Sequence, residues 1–189
     1  MKKLMTALAF TAMMSPLAHS ADYALDIKGA HAFINFKIKH LGYSWLSGRF
    51  NDFDGEFSYD SAKPNAAKIV VDIDTTSFDS NHAERDKHIR GSEFLDVSKY
   101  PTAKFVSTKI TDKGDNKLEV KGDLTLHGKT KSVVIDAYKI GEGKDPWGGY
   151  RAGFSGTTTI RLGDFGIPEK LGPASRHVEL ELHVEGIRK

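Results

Sequence analysis

Cysteine is absent from this 189-residue sequence, which removes disulfide staples, thiolate nucleophiles and cysteine-ligated metal from consideration. A charge surplus is missing too. Lys and Arg number 27 against 25 Asp and Glu, and two of the cations, Lys2 and Lys3, stand at the extreme N-terminus. The clustered basic excess that nucleic acid demands is therefore lacking, and no nucleic-acid partner is expected. Long apolar runs are also wanting. The longest, from Leu4 to Leu17, falls short of the about 20 residues that cross a bilayer as a helix, so no membrane span is expected.

Catalytic motifs fail one after another. Gly122-Asp-Leu-Thr-Leu-His-Gly128-Lys129-Thr130 has five residues between its glycines where a phosphate-binding loop has four. Gly153-Phe154-Ser155-Gly156 misses a nucleophile elbow, because Thr157 stands where a glycine is needed. The eight histidines raise the question of metal. His82 with Asp86, or Glu84 with His88, shares a helical face at i, i+4, but each pair supplies two ligands where zinc wants three or four. His127 and His183 have no partner of matching spacing, and Asp72 and Asp74 read as a wet strand face. No enzyme, no metal and no cofactor is the expectation. An enzyme or metal protein using His82, Glu84 and His88 ranks last among the functional alternatives.

What is present begins with a leader. The basic start, the apolar run and the small residues of Ala18-His19-Ser20 read as a signal peptide over residues 1–20, cut between Ser20 and Ala21. The mature domain is then 21–189, with formal charge zero, since the leader takes two lysines and no acid. An exported, cysteine-free chain with a short leader is expected in a bacterial periplasm.

Apolar and polar residues then alternate at period two in eight runs. These are Ile34/Phe36/Ile38, Phe53/Gly55/Phe57, Ile69/Val71/Ile73, Ala103/Phe105/Ser107, Leu118 to Leu126, Val133 to Ala137, Phe154 to Leu162, and Val178 to Val184. Such alternation marks half-buried strands, and turn signals such as Lys113-Gly114-Asp115-Asn116 join them as an antiparallel sandwich or barrel. One insertion, about residues 81–97, breaks the rhythm. Ser80 or Asn81 reads as N-cap with Glu84 behind it, Gly91 as a stop, and Ser92 as the cap of a second short helix holding Phe94, Leu95 and Val97.

Aromatics are in excess, with Phe33, Phe36, Tyr43, Trp45, Phe50, Phe53, Phe57 and Tyr59 falling within 27 residues. Rings in a barrel of about eight strands either plug it or line a slot. The residues alone leave both readings open. Small residues on the strands (Gly42, Gly55, Gly122, Gly153, Ser107) favour unfilled volume.

His40-Leu-Gly42-Tyr43-Ser-Trp45-Leu-x-Gly48-x-Phe50 with Phe53-Asp54-Gly55, and Asn81 to Arg90 leading to Phe94-Leu95 and Tyr100-Pro101, resemble the YceI-like family. So do Gly122-Asp-Leu124-Thr125-Leu126-x-Gly128-x-Thr130, Asp145-Pro-Trp147-Gly-Gly and Leu171-Gly-Pro-Ala-Ser175, in the family's order along the mature chain. The resemblance implies an eight-stranded antiparallel lipocalin-like β-barrel in the periplasm, often a homodimer, that binds polyisoprenoid or another long amphipathic lipid. It tips the interior toward a slot. The residues it places against ligand are Tyr43, Trp45, Phe50, Phe105 and Trp147 with Leu124 and Leu126, and the full candidate set adds Phe36, Ile38, Phe57, Phe78 and Phe154. Headgroup candidates are His82, Arg85, Asp86 and Arg90, with pairing of Arg85 and Asp86 to the barrel rim as the competing role. A chain of roughly forty carbons at about 0.3 kcal/mol per heavy atom reaches about 12 kcal/mol, against about 1.5–3 kcal/mol for each charge-assisted bond to the head. The tail would set affinity and the head selectivity. The rival reading is a packed structural or interaction module with no lipid.

Overall fold

The computed structural model describes residues 20–189, so the expected signal peptide lies outside the described residues except for Ser20. Eleven strands form one sheet: β1 (Ala21–Leu25), β2 (Phe33–His40), β3 (Ser44–Phe50), β4 (Phe53–Tyr59), β5 (Lys68–Asp74), β6 (Phe78–Asp79), β7 (Thr102–Gly114), β8 (Lys117–Leu126), β9 (Lys129–Lys144), β10 (Tyr150–Arg161) and β11 (His177–Arg188). The sheet order closes through β1 against β11, with β2, β3 and β6 branching from β11.

Eleven segments make eight staves. β1 and β2 both run antiparallel to β11, at Gly186–Arg188 and Val178–His183 respectively, so they are one stave broken at residues 26–32. β3 and β4 pair with β2 and β1 and form the second stave. β5 and β6 pair with β4 and β3 and form the third. With β7 to β11 the result is a closed up-and-down barrel in which every stave pairs with the next, and only the short β6 keeps one side wholly unpaired. The eight alternating runs of the sequence fall one to a stave. β1, β3 and the outer parts of β7 and β9 do not alternate cleanly and are seen only in the fold.

The turns explain the short connections. His127-Gly128 places two consecutive residues at positive φ (51° and 70°), the two-residue hairpin geometry that suits twisted strands, and Leu41-Gly42 (53° and 86°) does the same within the three-residue loop between paired His40 and Ser44. These hairpins share one end of the barrel with the only α-helix among the described residues, α1 (Ala83–Arg90), and with the β10–β11 connection. That end is called the helix end. The β4–β5, β7–β8 and β9–β10 turns form the far end.

The insertion differs from its expected form. His82, not Ser80 or Asn81, caps α1, its Nδ1 accepting the Arg85 N–H at 3.2 Å. Asn81 is held at φ 61° with its N–H on the Asp79 carboxylate, and Ser80 is engaged by Asp86, so neither is free to cap. Residues 92–100 form turns folded back on α1 rather than a second helix. The Leu95 and Val97 N–H groups donate to the Ile89 and Arg90 carbonyls, the orphan acceptors of the helix C-terminus.

Candidate ligand-binding site

Inward side chains of all eight staves surround an apolar cavity of about 150 Å³. Phe57, Ile69, Val71, Phe105, Leu118, Val120, Leu124, Ile135, Phe154 and Leu182 are among its walls. An apolar void of about this volume stays dry and admits a benzene-sized group. It is well below the about 300–1,000 Å³ of ordinary ligand pockets. The barrel is hollow but narrow, and a long chain requires its rings to turn aside. A larger concavity of about 1070 Å³ has Lys37, Arg49, Asp79, Lys131, Asp136 and Glu181 among its lining residues, chemistry that does not suit an alkyl chain.

The glycines act otherwise than expected. A side chain at Gly122 would collide with the Phe105 ring, and one at Gly186 with the Phe57 ring. These positions seat rings from neighbouring staves instead of leaving space. Gly42 lies in a hairpin tip, not in the wall.

The candidate residues separate into three groups. Phe57, Phe105, Leu124 and Phe154 line the cavity. Phe36, Phe78 and Leu126 are buried at the helix end beside Phe94, Leu95, Phe165 and Ile167, with the Phe36 and Phe78 rings stacked at 5.0 Å. Phe50 packs partly buried between both core clusters, and Ile38 is half-buried opposite Val178. Tyr43 (89% exposed), Trp45 and Trp147 stand outside the cavity. Strand parity accounts for Trp45. It faces outward with Lys37 and Lys39, whose ammonium groups lie 4.9 and 5.4 Å from its ring centroid.

The headgroup candidates engage their own backbone at the helix end. Arg85 donates from Nε to Ser80 Oγ at 2.7 Å and from Nη2 to the Ser80 carbonyl at 2.5 Å. Asp86 is buried and accepts from the Ser80 N–H at 3.0 Å and from its hydroxyl. Arg90 Nη1 donates to the Phe78 carbonyl at 3.0 Å, and exposed His82 caps α1. These bonds fasten β6 to α1, and none of the four lines the cavity.

At the far end the sequence reading missed a polar group. Between Phe154↔Lys139 and Gly153↔Gly141 the β9–β10 ladder carries a bulge at Ile140. A bulge inserts one residue and resets parity. Lys139 follows Ala137 inward by ordinary period two, Ile140 is thrust out 66% exposed, and past the bulge Glu142 returns to the inward face opposite buried Ala152. Lys139 Nζ lies 3.3 Å from Glu142 Oε1 and 5.4 Å from the centroid of the Tyr59 ring, itself a cavity wall. Burial opposes the ammonium's charge, but Tyr59 and Glu142 oxygens beside it hold its pKa above the usual lysine value. Burial likewise raises the Tyr59 and Tyr23 hydroxyls. The readable signal was the inverted pattern, lysine on the inward parity and isoleucine on the outward.

Outside the same end, Arg151 Nη1 reaches Asp26 at 2.6 Å and Glu185 at 2.5 Å, and its Nε reaches Asp145 at 2.9 Å. Asp26, His31 and Glu185 bring three ligand atoms within 4.8 Å, the spacing of a metal site. The guanidinium already sits among these carboxylates and supplies the positive charge. The His31 ring nitrogen at 2.9 Å and Arg151 hold the Asp26 carboxyl down at about 2.

A closed antiparallel barrel around an apolar cavity defines a hollow β-barrel protein. The chain belongs to the YceI-like family, whose domain model matches residues 23–186. It is 61% identical over 191 aligned residues to a UPF0312 protein of Vibrio cholerae and 59% identical over 189 residues to one of Shewanella baltica, covering 99–100% of each chain. Among solved structures, BcnA of Burkholderia cenocepacia superposes with a TM-score of 0.77 at 25% identity, over 85% of this chain and 98% of that one. The YceI protein of Campylobacter jejuni gives 0.72 at 26% identity, over 98% and 99%. A polyisoprenoid-binding domain of Saccharophagus degradans gives 0.66 at 16% identity, over 90% and 100%, and there the likeness is one of fold.

Proposed function

We propose that this protein is a periplasmic binder or carrier that encloses a long-chain isoprenoid or similar amphipathic lipid in its barrel, and that it acts by binding rather than by catalysis. The observation that carries the reading is the apolar cavity inside a closed ring of strands, walled by Phe57, Phe105, Leu124 and Phe154. Each carbon moved from water into such a lining contributes about 0.8 kcal/mol of apolar burial, before the cost of ordering the chain. Family membership and the polyisoprenoid-binding neighbour support the choice of ligand.

The test is extraction of the mature protein from its native cells without detergent, followed by mass spectrometry. A long-chain isoprenoid at near one molecule per barrel is expected. An empty barrel from the native source overturns the reading. The narrowness of the cavity favours the rival, a packed interaction module, and in that case no prenyl lipid displaces an apolar fluorophore from the purified protein. Export is checked by cell fractionation and by a mature N-terminus at Ala21. Light scattering of the same sample tests a homodimer.

A further inference from the structure

The tip of the β2–β3 hairpin carries apolar surface that the fold does not use. Leu41, Tyr43 and Trp45 are exposed there, and so is Leu171 on the neighbouring connection. That connection is fastened to the hairpin, with Ser175 Oγ donating to the Lys39 carbonyl at 2.6 Å and Ala174 lying beside Gly42. Leu41 is held at φ 53°, in the left-handed region where asparagine or glycine is at home and leucine is strained. A leucine at this place costs twice, in backbone strain and in exposed apolar surface, and gains little packing within the chain. Strain kept under those terms points to a contact made outside the chain.

Charge narrows what that contact is. No acid occurs between Asp26 and Asp52, whereas Lys28, Lys37, Lys39 and Arg49 do. Lys37 pairs with Glu179 at 3.0 Å, and Lys39 has no carboxylate partner among the described residues. Both ammonium groups flank the Trp45 ring. Beside Leu171, Lys170 and Arg176 are matched by Glu93 and Glu169, so the surplus is small and its attraction weak. Lysines next to a tyrosine and a tryptophan on a hairpin tip suit a bilayer interface, where rings seat at headgroup depth and ammonium groups reach lipid phosphates. A protein partner wants a broader face, of about 800 Å², than a few side chains on one hairpin present.

We propose that this hairpin tip, Leu41 to Trp45 with Leu171 beside it, docks the protein onto the surface of an anionic phospholipid bilayer. Leu41 and the two rings enter the headgroup layer, and Lys37 and Lys39 hold the phosphates. Docking needs no chain in the barrel, so it stands or falls apart from the lipid-enclosing reading.

The test uses mature protein carrying Trp147→Phe, which leaves Trp45 as its one tryptophan. It is mixed with vesicles of phosphatidylcholine alone, or with about one phosphatidylglycerol in three lipids. On the anionic vesicles the Trp45 emission should shift to shorter wavelength and be quenched by lipid brominated near the headgroup. Binding should be at least about fivefold weaker on phosphatidylcholine alone and in high salt. Leu41→Asn, which suits the left-handed backbone, should leave the urea midpoint unchanged or higher and yet weaken vesicle binding about fivefold. Tyr43→Ser should weaken it by about as much, and Lys39→Gln should weaken it on anionic vesicles only. The converse protein, Trp45→Phe with Trp147 retained, should bind without a shift in emission. Absence of binding to either vesicle overturns the proposal. So does undiminished binding in both Leu41→Asn and Tyr43→Ser, or a shift reported by Trp147 in place of Trp45.

Discussion

The two ends of the barrel are closed by different forces. At the helix end, Phe36, Phe78, Phe94, Leu95, Phe165 and Ile167 interlock as an apolar plug, with Phe165 only 1% exposed. At the far end, Tyr23, Tyr59, Lys139 and Glu142 face inward and Arg151 clasps Asp26, Glu185 and Asp145 on the outside. Apolar packing is dense and indifferent to pH, whereas charge pairs depend on protonation and can exchange partners with an incoming polar group. The helix end is built to stay shut, and the far end is built to respond.

Breaking the plug should have the largest effect. Phe165→Ala removes a fully buried ring and is expected to cost about 3–5 kcal/mol in urea unfolding. A loss below about 1 kcal/mol would show that the helix end is loosely packed. Filling the hollow comes next. Val120→Phe adds bulk to a cavity wall, should cost at most about 1–3 kcal/mol, and should cut the lipid recovered with the protein at least tenfold. Retained lipid in a folded Val120→Phe barrel would place the chain elsewhere.

Acid separates the ends further. Asp26, almost fully buried and held at about 2, stabilises the fold while it is ionised. That contribution is complete above the ordinary aspartate value near 4 and disappears as pH falls through about 2. On the order of 1–2 kcal/mol should be lost over that window, read as a falling urea midpoint. Asp26→Asn should flatten the window while lowering stability at neutral pH. Hydrogen exchange should show residues 26–32 opening before the helix end does, and the reverse order would refute the comparison.

Alternation made the eight staves legible, because a half-buried strand shows its inward face at period two. It also found the wall residues Phe57, Phe105, Leu124 and Phe154. What it could not show was where parity resets. The Ile140 bulge and the breaks after Leu25, Phe50 and Asp74 are local backbone events, so Glu142 stayed invisible as an inward group, whereas Lys139 kept the inward parity of Ala137 and was passed over for its charge. Composition likewise could not tell a glycine that leaves space from one that seats a ring, since Gly122 and Phe105 meet only through strand pairing. Arg85, Asp86 and Arg90 suggested headgroup chemistry by type, but the backbone carbonyls and the Ser80 hydroxyl that engage them are set by the fold of one turn.

The smallest expected effect concerns the exposed aromatics. Tyr43 on the helix-end hairpin and Trp147 on the far-end hairpin are 89% and 78% exposed, and neither touches the cavity. Removing an exposed ring forfeits little burial, so Tyr43→Ser and Trp147→Ser should each change stability by under about 0.5 kcal/mol. If the chain is held wholly inside, both variants should retain lipid at the wild-type ratio after extraction. They differ in one respect. The Trp147 ring lies 5.5 Å from the Arg151 guanidinium, so its loss should modestly loosen the acid-sensitive clasp, while Tyr43→Ser leaves the acid window unmoved. A large loss of lipid in Tyr43→Ser would mean that the chain emerges through the helix end, and the division between a shut end and a responsive one would have to be reversed.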